Sequence, residues 1–197
     1  MVSMPAEVDI RSELAVGRHA LHPGRVCEVA EWIATRPRRI AALIELMWDD
    51  DPGVASRAAD VLERVSRWAS PAMMRAIAEY KDELLGLLPE AVLPKVRWNL
   101  ALTIPRLTLT VADCRRAAAV LETWFDHPSS IVKTTALHGL ADLTRQNPDS
   151  TAEVIDLLRV TGRSGTPAMR ARSRILLKAL EKPAGKRQVR GPLHMFD

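Results

Sequence analysis

VKTTALHGLADL, residues 132–143, holds Val132, Ala136, Leu140 and Leu143 at spacings of four, four and three. Such spacings place the four side chains on one stripe of a helix. The same frame occurs three more times without gaps. It is carried by Val54, Ala58, Leu62 and Val65, by Val96, Leu100, Ile104 and Leu107, and by Met169, Ser173, Leu177 and Leu180. The starts lie about 36 to 42 residues apart, the period of a two-helix repeat.

A second amphipathic segment precedes each of these helices, over 38–48, 71–88, 111–125 and 151–161. Breakers separate the two members: Asp51-Pro52-Gly53, Pro89 and Pro94, His127-Pro128, and Gly162 through Pro167. Ser70-Pro71 and Thr166-Pro167 read as an N-cap followed by Pro at the first helical position, and Asp149-Ser150-Thr151 precedes Glu153. Four pairs are predicted over residues 37–182. One or two capping helices lie within 1–36, with Val26–Ala34 the clearer. Pro105 is expected to kink or end its helix, because it removes a backbone donor and crowds the preceding turn.

Val96-Arg97, Val132-Lys133 with Ala136, and Met169-Arg170, each opening a helix rich in Ala and Leu, resemble the second helix of HEAT repeats. Asp49-Asp50-Asp51-Pro52 and Asp126-His127-Pro128 resemble the acidic turn within a HEAT unit. The resemblance covers roughly residues 37–182. The chain departs from it at Ala55, at Pro105 and at Ser164-Gly165. It implies an all-α, right-handed superhelix of stacked helix pairs, with the second helices lining a concave face. It also implies that the basic residue after the Val pairs with an acidic turn residue of the adjoining repeat.

Composition agrees with an all-helical reading. Of 197 residues, 47% are hydrophobic, enough to build a core, while only 4% are aromatic, so closely packed Ala- and Leu-rich helices are favoured over a sandwich or barrel. The N-terminal stretch has no apolar run of signal-peptide kind and no segment is apolar enough to span a membrane, so a cytoplasmic protein is expected. Cys27 and Cys114 are then expected to be buried free thiols.

Charge directs the functional reading. Each second-helix segment is net positive, the last most of all, with Arg170, Arg172, Arg174, Lys178 and Lys182 against Glu181. Arg57, Arg97, Lys133, Arg170 and Arg172 occupy the first and third positions after the frame starts, and no acid does. Such a surface suits an acidic protein or a phosphate backbone. Arg57, Arg97, Lys133, Arg170, Arg172 and Arg174 are therefore the candidate partner-binding residues. Lys186, Arg187 and Arg190 belong to a basic C-terminal tail, 183–197, expected to be flexible. Its alternative role is to dock back as an extended strap, or to bind another chain, through Leu193, Met195 and Phe196.

No catalytic motif stands out. Some HEAT-like proteins are DNA glycosylases, but the carboxylate and aromatic set that such a site requires does not carry over. Trp98 is followed by Asn99, and Asp60 and Asp142 are the only acids well inside second helices. Trp48 and Trp124, ending first helices, are expected to pack. His19, His22 and Cys27 have loosely ligand-like spacing but are divided by Pro23-Gly24. The expected function is a non-catalytic protein-binding scaffold without metal or cofactor, with nucleic-acid binding as the alternative.

Overall fold

Breakers and caps divide the chain into short helices, and the computed structural model, which describes residues 8–17, 19 and 21–181, is helical with no strand among them. The described residues fall into two compact units, divided between Thr103 and Ile104. The division falls where Pro105 was expected to interrupt a helix. The helix ends at Thr103, and a 3-10 turn over Ile104–Arg106 follows.

The first unit contains α1 (Ile10–Ala15), α2 (Val26–Ala34), α3 (Ile40–Glu45), α4 (Pro52–Arg67), α5 (Pro71–Ala78), α6 (Lys81–Glu90) and α7 (Pro94–Thr103). The N-terminal segment thus supplies two helices. Asp51 starts α4 by accepting hydrogen bonds from the backbone N–H groups of Gly53 (2.7 Å) and Val54 (3.2 Å), and Pro52 takes the first helical position. α4 packs against α1, α2, α3 and α7, and twelve of its sixteen residues are buried. The segment 71–88, expected as one helix, is two. The chain turns at Glu79-Tyr80, and α6 restarts with Asp82 and Glu83 in its first turn, where the helix dipole favours acids.

The second unit contains α8 (Val111–Thr123), α9 (Ser130–Leu143), α10 (Thr151–Ser164) and α11 (Pro167–Leu180). Thr110 and Asp113 form a reciprocal capping box at the start of α8. α9 is the central helix. It packs on α8, α10 and α11, and ten of its fourteen residues are buried. The Gln146 side chain holds the chain ahead of α8 in place. Its Nε2 donates to the carbonyls of Pro105 and Leu107, both at 3.0 Å, and its Oε1 accepts from the Leu109 N–H at 2.9 Å.

Every residue of the repeated frame is buried except Leu177. On α11 the buried stripe is Met169, Ser173, Leu176 and Leu180, so the helix turns Leu176 inward in place of its half-buried neighbour. Within each unit the second helices lie against each other, α4 on α7 and α9 on α11. The Ser130 and Thr166 hydroxyls meet at 3.0 Å, which sets the N-terminal ends of α9 and α11 side by side.

Ala136 has no exposed surface. Ala136→Asp should therefore lower the unfolding free energy by about 3–5 kcal/mol, the cost of an uncompensated buried charge, whereas Arg174→Ala, on an exposed position, should change it by under ~0.5 kcal/mol. Urea denaturation checks both.

Arg11 pairs with Asp49 at 2.7 Å, tying α1 to the turn before α4. The hydrogen bond from Arg11 holds the Asp49 carboxyl below its ordinary range, against the opposing effect of burial. A carboxyl lowered on folding contributes stability above its unfolded pKa and loses that contribution as pH falls through the folded value. The stability gap between wild type and Asp49→Asn should therefore close as pH drops below about 4.

Candidate binding surface

α11 is a helix with one apolar stripe and no acid. Thr166 caps it, accepting from the Met169 N–H, and Pro167 opens it. With Met169, Ser173, Leu176 and Leu180 turned inward, Arg170, Arg174 and Lys178 fall on the opposite side at four-residue intervals, all exposed. Ala171 and the half-exposed Ile175 share that face. Glu181, the acid that follows, pairs with Arg159 of α10 at 3.0 Å. Arg172 is half-buried between the two faces, and burial pushes its guanidinium below its ordinary value. Lys178, in the last turn, is favoured by the helix dipole, while Arg170, in the first turn, is opposed by it. Arg170 Nη1 donates to the Gly165 carbonyl at 3.1 Å.

Lys133 holds the same place on α9 that Arg170 holds on α11, the fourth residue of its helix. The Ser130–Thr166 contact brings those two helix ends together. Lys133 is half-buried and forms no ion pair among the described residues. The second unit thus gathers Lys133, Arg170, Arg172 and Arg174 on two adjoining helices.

The first unit treats its candidates differently. Arg57 is 2% exposed and cannot face a partner, which corrects the expectation for it. Its Nε donates to the Leu14 carbonyl, and its Nη1 to those of His19 (3.2 Å) and His22 (3.4 Å). The guanidinium is solvated by the backbone that connects α1 to α2. A Cβ at Gly17 would stand 2.7 Å from Arg57 Nη1, so the missing side chain there makes room for the cation. Gly24 adopts φ +54°, a left-handed conformation that glycine enters without steric cost. Arg97 is half-buried, and its Nε donates to the Ala91 carbonyl at 2.6 Å. Arg97 and Arg170 thus both reach back to the loop that leads into their own helix. Asp51, read as an acidic turn residue, caps α4.

Lys95, not singled out by sequence, is the buried cation of α7. Only 5% exposed, it meets Asp60 of α4 at 3.0 Å, and Arg64 reaches the same carboxylate at 3.1 Å. The signal was Asp60 itself, an acid inside a buried helix that requires a cationic partner. Asp142 is likewise enclosed, 3.6 Å from His138 and 3.7 Å from Arg145. Trp98 is half-buried, and Asn99 beside it is buried, donating to the Lys95 carbonyl at 2.9 Å.

Trp124 packs in the core as expected, whereas Trp48 is 49% exposed. Cys114 is buried, but Cys27 is exposed on α2, a second correction. His22 Nδ1 accepts from the Gly24 N–H, and no group of three metal-ligating side chains gathers among the described residues. Lys186, Arg187 and Arg190, with Leu193, Met195 and Phe196, lie outside the described residues.

Arg57→Met should leave the Leu14, His19 and His22 carbonyls without their donor and cost about 3 kcal/mol or more. Hydrogen exchange would show it first as faster exchange of the α1 and α2 amides, with the second unit unaffected.

No protein-family model, no curated protein and no solved structure matches this chain.

Proposed function

We propose that this chain is a HEAT-like α-solenoid that acts as a non-catalytic binding module in the cytoplasm, taking an acidic protein surface on the exposed face of α11. The observation that carries the reading is the row of Arg170, Arg174 and Lys178, three exposed cations at four-residue spacing on a helix without an acid. Lys133 and Arg172 extend the positive field toward α9. Like-signed charges on one helix repel each other and weaken it by a few tenths of a kcal/mol per pair, so folding alone does not favour this row. An opposing carboxylate surface removes the repulsion and is steered by the field. Support for the repeat assignment comes from the recurring buried frame and from the packing of second helix on second helix inside each unit.

Affinity capture from native extract with the full chain, with and without nuclease, tests the reading. The variant carrying Arg170→Glu, Arg174→Glu and Lys178→Glu should keep its helix content and lose at least tenfold in affinity for the captured protein. A partner retained by that variant would overturn the role of α11. A nuclease-sensitive partner whose affinity falls about 40- to 150-fold between 50 and 200 mM salt, as three or four phosphate contacts require, would replace the protein partner by nucleic acid.

A further inference from the structure

Trp68 is the most exposed aromatic side chain among the described residues, at 76%, and it stands directly after the last turn of α4. Beside it a groove of about 260 Å³ runs between α2 and the end of α4. Cys27, Glu31 and Ala34 form the α2 wall. Their spacings of four and three put them on one face of that helix. Ala30 and Val65, both buried, form the floor, and Arg64, Arg67 and Trp68 form the facing wall. The first unit thus sets a projecting indole next to a hollow lined by small residues. The hollow is smaller than sites that enclose a small molecule, which run from about 300 to 1,000 Å³. It is a recess in a protein surface.

The charges on its two walls select what covers it. Glu31 is exposed and forms no ion pair among the described residues. Arg64 uses its Nε on Asp60 at 3.1 Å, and its two Nη groups have no partner among the described residues. Opposite charges therefore line opposite walls, each with hydrogen-bonding capacity left over, and they are not joined to each other within the chain. An acidic partner laid over the groove would meet Glu31, and a basic one would meet Arg64 and Arg67. The surface that opposes both walls at once carries the same charges in reversed order. A second copy of this chain, turned about a two-fold axis through the groove, supplies that surface by symmetry, because residue i then meets j while j meets i. The same rotation lays each Trp68 over the hollow of the other copy, and a desolvated Trp is the side chain in which interface energy most often concentrates.

We infer that this face of the first unit is the interface of a two-fold homodimer, with Trp68 of each copy seated against Ala30 and Ala34 of the other and Glu31 of each paired with Arg64 of the other. The inference does not rest on the α11 reading, whose residues belong to the second unit.

Sedimentation equilibrium of the full chain, from micromolar to submillimolar concentration, tests it. Wild type should associate to twice the monomer mass. Trp68→Ala, at an exposed position, should weaken association at least tenfold with helix content unchanged. Glu31→Arg and Arg64→Glu should each be monomeric alone, since each sets like charges against each other across the interface. An equimolar mixture of the two should form a heterodimer, because both contacts are then of opposite sign, a rescue that general loss of folding could not produce. A wild-type chain that stays monomeric throughout, a dimer indifferent to Trp68→Ala, or a mixture that remains monomeric would overturn the inference.

Discussion

Two helices, α4 and α9, are buried on nearly every side, and each unit is organised around that requirement. A single amphipathic hairpin covers one stripe of a helix. α4 has Ala55, Ala59 and Val61 buried beside its frame residues, and α9 has Leu137, Gly139 and Ala141. A helix apolar around most of its circumference is stable in water only when neighbours cover it from several directions. α4 accordingly packs against α1, α2, α3 and α7, and α9 against α8, α10 and α11. The small residues on both helices allow this close approach.

Burial of a whole helix makes its polar residues costly unless each finds a partner, and the solutions differ between the units. Arg57, on the face of α4 toward α1 and α2, is met by backbone carbonyls and by glycines whose missing side chains leave room for the guanidinium. Lys95 and Asp60 neutralise each other across the α4–α7 contact. In the second unit, Asp142 lies beside His138 and Arg145 on the same helix face and its end. These arrangements hold charges in place. They draw Arg57 and Lys95 away from solvent, whereas Arg170, Arg174 and Lys178 stay exposed on α11, a helix with one buried stripe.

The second unit consequently presents two surfaces of opposite sign. Arg170, Arg174 and Lys178 of α11 form no ion pair among the described residues, and Glu181 at its end is engaged by Arg159. The cleft between α8 and α10 carries carboxylates around an apolar interior. Glu122 of α8, Asp149 of the turn before α10 and Glu153 of α10 line the cleft, while Arg170 and Arg174 stand exposed on α11.

What the amino-acid order determined by itself was local. Helix starts at Asp51-Pro52, Ser70-Pro71 and Thr166-Pro167 follow from capping chemistry, the interruption at Pro105 from a missing donor, and the buried frame from a period that any helix must obey. The turn at Glu79-Tyr80 escaped because it contains no glycine or proline to mark it. Tertiary structure decided which side of a helix is outside. Arg57 and Arg172 both stand three residues after a frame start, yet one is enclosed by the α1–α2 connection and the other is only half-buried. A side chain's exposure depends on whether a distant segment covers it, and no local period carries that information. The cleft was illegible for the same reason: Ala118, Asn147 and Leu157 become neighbours only after α8, α9 and α10 have packed.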